Sequence, residues 1–166
     1  MSKLDTYEQE IYRHIDEMIR LASDLSESVI RWKPSDSEWS VMETLCHVEE
    51  ANVYWTNELL RVVKQPDTQW GRGMDHEGRL KAIANADERK PQDVIDGVNA
   101  TRNNIRDTFK ALKDDDLNIE APHRNPKFGT RPMRFLVEHF LVEHLETHVN
   151  QIKRVLRQYE SQGSNA

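Results

Sequence analysis

Residues 131–159 read RPMRFLVEHFLVEHLETHVNQIKRVLRQY. At about 100° per residue this stretch winds into one long helix, with Pro132 in the first turn, where its missing amide donor costs nothing. Met133, Val137, Phe140, Leu141, Val155 and Tyr159 fall in one sector of the wheel, and His144 and His148 lie inside that sector. A single apolar stripe on a helix of this length has to be buried against other elements. The question for the rest of the chain is whether those elements are helices or strands.

They are helices. Leu4, Ile11, Ile15, Met18, Ala22, Leu25 and Val29 recur at helical steps, predicting a first helix over about Lys3–Ile30, stopped by Trp32-Lys33-Pro34. A second helix opens at Ser40, where Ser40-Val41-Met42-Glu43 has the S-x-x-E pattern of a capping box. Its stripe is Val41, Leu45, Val48, Asn52, Trp55, Leu59 and Val62, and Pro66 marks its end. Gln65–Lys90 is irregular, with glycines at 71, 73 and 78 and a short helix expected around Arg79–Ala86. A third helix opens at Pro91, carries Val94, Ile95, Val98, Thr101, Ile105, Phe109 and Leu112, and stops in Asp114-Asp115-Asp116. Leu117–Thr130 is polar and reads as a loop. No segment shows sustained strand alternation. The expectation is an all-α chain, a four-helix bundle forming a single domain over 1–160, with a polar tail at 161–166.

Composition bounds the function. The 166 residues carry 23 Lys plus Arg against 29 Asp plus Glu, a net charge of −6. An acidic chain is a poor general binder of nucleic acid or of an anionic membrane, so neither is expected as a partner. One Cys excludes an internal disulfide and suggests a reducing compartment. The opening MSKLDTYEQE has no apolar run, and no stretch approaches the ~18–20 apolar residues of a membrane span. A cytoplasmic location is expected.

The chemistry centres on His144 and His148. Four residues apart, both imidazoles leave one face of the helix a turn apart. They stand where Leu or Ile would otherwise sit, with no Ser, Thr or Asn on the stripe to serve as partner. Two such rings can share one divalent ion, and neutral imidazole suits zinc, nickel, copper or iron. The plainer reading is a pair of core histidines bonded to backbone or water. A three-histidine site needs one more ligand. His139 falls on the polar side, His14 lies on the edge of the first stripe, His76 and His123 sit in loops, and His47 lies at the margin of the second stripe near Ala51 and Tyr54. Spacing does not choose His47 over His14.

Familiar catalytic patterns do not fit. In His144-Leu145-Glu146-Thr147-His148 the Glu stands two residues after the first His, not one as in H-E-x-x-H, and so points off the shared face. His139 to His144 is one residue too long for H-x-x-E-H. There is no C-x-x-C, no glycine-rich phosphate loop and no G-x-S-x-G. Cys46 points about 100° from His47 on a helix and reads as a small buried residue. Asp114–Asp116 and Glu49-Glu50 read as solvated surface.

Two stretches carry a resemblance. Trp39-Ser40-Val41-Met42-Glu43-Thr44-Leu45-Cys46-His47-Val48 resembles the W-S-x-x-E-x-L-x-H-hydrophobic signature of the DinB superfamily. His144-Leu145-Glu146-Thr147-His148-Val149-Asn150-Gln151-Ile152 resembles its H-x-x-x-H-x-x-Q-I signature, with Asn150 where a Gly is usual. The resemblance implies an up-down-down-up bundle with a long crossover between helices two and three, supplied by Gln65–Lys90. It implies His47, His144 and His148 as ligands of a divalent metal ion, zinc first and nickel second, with water completing the shell. Relatives of this kind include thiol transferases using bacillithiol, mycothiol or glutathione, mycothiol-dependent maleylpyruvate isomerases, and proteins described as metal-dependent hydrolases. Homodimers are frequent among them.

Three functions follow as expectations. In the first, a divalent ion activates a small-molecule thiol for S-conjugation to an electrophile in detoxification or stress response. No catalytic Cys is then needed, and Arg72, Arg124 and Arg131 are candidates to hold the thiol's carboxylates. In the second, the ion activates water for hydrolysis. Glu43 is then the nearest carboxylate in sequence to act as base, but the capping box already uses it. In the third, the chain is a non-enzymatic metal-binding or stress-related module, with Trp55 and Trp70 lining a pocket or an interface.

Overall fold

The computed structural model describes residues 1–164. Its helices in chain order are α1 (Lys3–Ala22), α2 (Glu27–Ile30), α3 (Val41–Lys64), α4 (Glu77–Ala84), α5 (Pro91–Lys110), α6 (Met133–Phe135) and α7 (Glu143–Ser164). The four long ones, α1, α3, α5 and α7, form the up-down-down-up bundle. Both α1 and α3 pack against α5 and α7. The crossover between α3 and α5 lays α4 against α3. Among the described residues no helix is long and apolar enough to cross a membrane.

Local chemistry sets the helix starts. Ser40 accepts from the Glu43 amide at 3.0 Å while the Glu43 carboxylate accepts from the Ser40 amide at 2.9 Å, so the expected capping box is present. Ser2 and Asp5 make a second box at α1. Such a cap is worth about 1 kcal/mol. Pro91 opens α5, as its fixed φ favours. The core runs between the four helices through Ile11, Ile15, Met18, Leu45, Leu59, Val98, Ile105, Leu141 and Ile152, all at most 1% exposed. Each fully buried Leu or Ile of this set contributes roughly 1.5–3 kcal/mol.

Several expectations are corrected. The first helix is not continuous to Ile30. It stops at Ala22, where the Ser23 hydroxyl turns back to the Ile19 carbonyl, and Ser26 caps the separate α2 by accepting from Val29. Serine and aspartate side chains there offer the backbone alternatives to a continuing helix. The loop 117–130 contains strand pairing, since β1 (Glu120–Pro122) runs antiparallel to β2 (Thr130–Pro132). The all-α bundle thus carries one two-stranded ribbon. Asp114 is not idle surface: its carboxylate accepts from the Lys3 and Leu4 amides at 3.0 and 3.2 Å, placing an anion at the start of α1. The last helix runs on through Gly163 to Ser164, into the stretch expected as a polar tail. The end of that tail, 165–166, lies outside the described residues.

The long last helix also departs from a uniform 100° wheel. Residues Leu136–Val142 form a π-helical segment, in which the Glu143 amide bonds to the Glu138 carbonyl five residues back. The wider turns change which side chains face the core. Leu136, Leu145, Val149 and Ile152 join the buried face, whereas Phe140 and Tyr159 are only half-buried. His148 is buried within this stripe, and His144 is half-buried at its edge.

Candidate metal centre

Two helices bring three imidazoles together. The second turn of α3 carries His47, and the first turns of α7 carry His144 and His148. The Nε2 atoms of His47 and His144 lie 3.0 Å apart, as do those of His148 and His144. Ring centroids are 4.4–5.0 Å apart, with interplanar angles of 73–83°. His14, the alternative that spacing left open, is half-buried on α1 and feels the charge of Glu146 instead.

The protonation pattern suits a cation. The Gln151 carbonyl oxygen lies 2.7 Å from His148 Nδ1. An amide oxygen only accepts, so Nδ1 carries the proton and Nε2 presents a lone pair. The Nδ1 atoms of His47 and His144 are buried with no partner among the described residues. Three rings thus converge on one point through the same nitrogen, and one Nε2–H could not satisfy both of its neighbours. Burial first, and then the neighbouring imidazoles, push His47 down to about 2 and His144 to about 3. Burial also lowers His148, against the Gln151 bond that raises it. All three rings are neutral near pH 7, the form that ligates a metal. The donor set fits a divalent ion with an open fourth position.

A cavity of about 320 Å³ opens onto the three nitrogens, lined by His47, Trp55, Arg72, Gly73, Met74, Arg79, Phe140, His144 and His148. Trp55 and Phe140 stack at 4.2 Å with 25° between their planes, giving an apolar wall. The π-helical segment is what presents Phe140 to this cavity, one turn before His144. Trp39 lies against the converging rings, 5.1 Å from His47 and 6.2 Å from His148.

The crossover supplies the rest of the wall, and it is held firmly. Trp70 donates its indole N–H to the Ala121 carbonyl, its amide bonds to Pro122, and its carbonyl accepts from Arg124. The buried Glu58 carboxylate accepts from the Gly71 amide at 2.6 Å and from Arg61 at 2.7 Å. Gly71 has φ +93°, and a Cβ there would lie 2.2 Å from His123 Nε2, so the chain can turn here only with glycine.

Of the three arginines picked out from the sequence, Arg72 lines the cavity, while Arg124 and Arg131 are exposed and do not. Arg79 lines it and was missed. Cys46 is buried, its thiol pushed up to about 11 by burial, and is no nucleophile. His139 is half-buried beside Glu143, and His76 starts α4. His123 is buried, with Nδ1 accepting from the Asn125 amide.

Comparison with known proteins agrees with this architecture. The family model of the DinB superfamily matches residues 10–152. No curated protein sequence matches the chain. The fold is similar to YfiT from Bacillus subtilis, described as a probable metal-dependent hydrolase with an unusual four-helix bundle topology. The TM-score is 0.79 at 11% identity, over 96% of this chain and 90% of that one. It is similar also to a mycothiol-dependent maleylpyruvate isomerase, with TM-score 0.69 and 12% identity over 90% of this chain. This chain spans 60% of the isomerase's length. At such identities the likeness speaks for the fold, while the family match covers most of the sequence: the chain belongs to the DinB superfamily.

Proposed function

We propose that this protein is a divalent-metal-dependent transferase that activates a low-molecular-weight thiol, of the bacillithiol, mycothiol or glutathione type, for S-conjugation. His47, His144 and His148 are the proposed ligands, and zinc the first choice of ion ahead of nickel. When bound, such an ion lowers the pKa of a substrate thiol so that thiolate exists at neutral pH.

One observation supports transfer over hydrolysis: among the described residues, no carboxylate lines the cavity, whereas two arginines do. Hydrolysis needs a base for the attacking water. Glu43 is bonded to the Ser40 amide and lies 3.7 Å from Lys33. Glu50 is held by Arg72. Glu146 is exposed outside the cavity. A thiolate nucleophile needs no such base, and positive walls favour it. Trp55 and Phe140 narrow the access of water, and Gln151 fixes the tautomer and orientation of His148.

The test has two stages. Elemental analysis of the purified protein and of His144→Ala should find about one ion per chain, lost in the variant. The loaded protein is then assayed with 1-chloro-2,4-dinitrobenzene and each thiol in turn, chloride leaving as sulfur bonds to the ring. A rate above that of free metal, lost in His144→Ala, is the expected result. Bound metal with no such rate for any thiol would leave a metal-binding module and end the transferase reading.

A further inference from the structure

The two arginines of the cavity use their charge differently. Arg72 is buried and gives both terminal nitrogens to Glu50, at 2.7 and 2.6 Å. Its guanidinium also lies 4.0 Å over the Tyr54 ring. Its charge is cancelled within the protein, and its face is covered. Arg79 is half-buried, and its one hydrogen bond among the described residues goes to the Met74 carbonyl at 2.9 Å. Its guanidinium lies 5.5 Å from the Trp39 ring, the same ring that packs against His47 and His148. No carboxylate pairs with it among the described residues. A half-buried cation with no carboxylate in contact, in the wall of a cavity, is an electrostatic deficit that a bound anion reduces. Burial first, and then the charge of Arg72, act against the charged form, while Glu50, already bonded to Arg72, acts for it only from a distance.

We propose that Arg79 anchors the carboxylate of a small organic anion whose apolar body lies along Trp55 and Phe140 and whose far end reaches the three imidazoles. A planar guanidinium fork matches a planar carboxylate. One open cation matches one negative charge, and a dianionic phosphate would leave its second charge facing Trp39 and Phe140. The volume of about 320 Å³ limits the body to a small molecule. The inference rests on the transferase reading and deepens it by giving the apolar electrophile that the thiol attacks a carboxylate partner, but the anchor itself needs no metal.

The experiment is calorimetric titration of the full chain with 3-phenylpropionate and, separately, 3-phenylpropan-1-ol. It is run on chelator-treated and on zinc-loaded protein. In both forms the acid should bind about tenfold or more tighter than the alcohol, the discrimination expected of a hydrogen bond to a charged group. Arg79→Ala should abolish the preference, and Lys81→Ala, on the exposed side of the same helix, should keep it. No binding of the acid, equal binding of acid and alcohol, or a preference that survives in Arg79→Ala would overturn the proposal. So would a preference seen only with zinc present, because the carboxylate would then sit on the ion. The chelator-treated arm still reads Arg79 if the chain turns out to hold no metal.

Discussion

Acid should destabilise the metal-free protein through the three-histidine cluster, because burial holds its rings neutral. His47 and His144 are held neutral by burial, at about 2 and 3 against an ordinary 6.5. A depressed histidine pKa means that the unfolded chain takes up protons first. The stability these rings contribute is therefore complete above pH 6.5 and is lost as pH falls below it, levelling only near the folded values. Between pH 7.5 and pH 5.0 an unfolded imidazole of ordinary pKa goes from mostly neutral to almost fully protonated, while the folded ring stays neutral. That difference is worth about 2 kcal/mol per ring, or about 4 kcal/mol for the two. Against a typical total of ~5–15 kcal/mol the effect is large. The assay is urea unfolding of chelator-treated protein at the two pH values, beside His47→Gln and His144→Gln. Each variant should lose about 2 kcal/mol less than the parent on acidification. His14, His123 and His148 are also lowered by burial, but they are common to all three proteins. Equal acid losses in parent and variants would refute the placement of these rings as buried neutral groups.

Three further outcomes are expected. Gln151→Ala removes the acceptor on His148 Nδ1 and should weaken zinc affinity roughly 10–100-fold by competition with a chromophoric chelator, with little change in the unfolding midpoint of the metal-free form. Gly71→Ala forces a Cβ into His123 at a positive φ and should cost roughly 2–4 kcal/mol in urea unfolding. Asp114→Ala removes the acceptor for the Lys3 and Leu4 amides, and hydrogen exchange at those two amides should quicken while the centre of α3 is unaffected.

Much of this was legible in the residues. Period and capping chemistry gave four helices, because a stripe of apolar side chains and a Ser-x-x-Glu start act within one segment. The pairing of His144 with His148 was legible for the same reason. What acts between segments was not. Spacing on separate helices cannot say whether His14 or His47 meets the pair, because it carries no information on which faces meet; only the family resemblance favoured His47. The π-helical segment has no compositional mark, so a uniform wheel put Phe140 in the core, where the structure leaves it half-buried. Asp114 faces the start of α1 from 110 residues away. Arg79 is one charged residue on a short exposed helix, and nothing local distinguishes it from Lys81. Its role emerges only when the crossover is laid against α3.

The same crossover explains why the cavity carries positive charge on an acidic protein. Helix α3, which carries His47, has four glutamates, and each is already engaged. Glu43 closes the cap, Glu49 pairs with Arg89, Glu50 with Arg72, and Glu58 with Arg61 and the Gly71 amide. Of these pairs, Glu50–Arg72 stands nearest the chemistry, since Arg72 forms part of the cavity wall. If neutralising Glu50 is what Arg72 does, Arg72→Met should destabilise the protein by leaving a carboxylate stranded. The Glu50 side chain is 23% exposed, so the loss should fall between the ~1 kcal/mol of an exposed pair and the ~3–5 kcal/mol of a buried one. Adding Glu50→Gln removes the stranded charge, and the double variant should recover more than half of that loss in urea unfolding. A double variant no more stable than Arg72→Met would mean that Arg72 stabilises through its packing on Tyr54, and that the positive wall is not built by sequestering carboxylates.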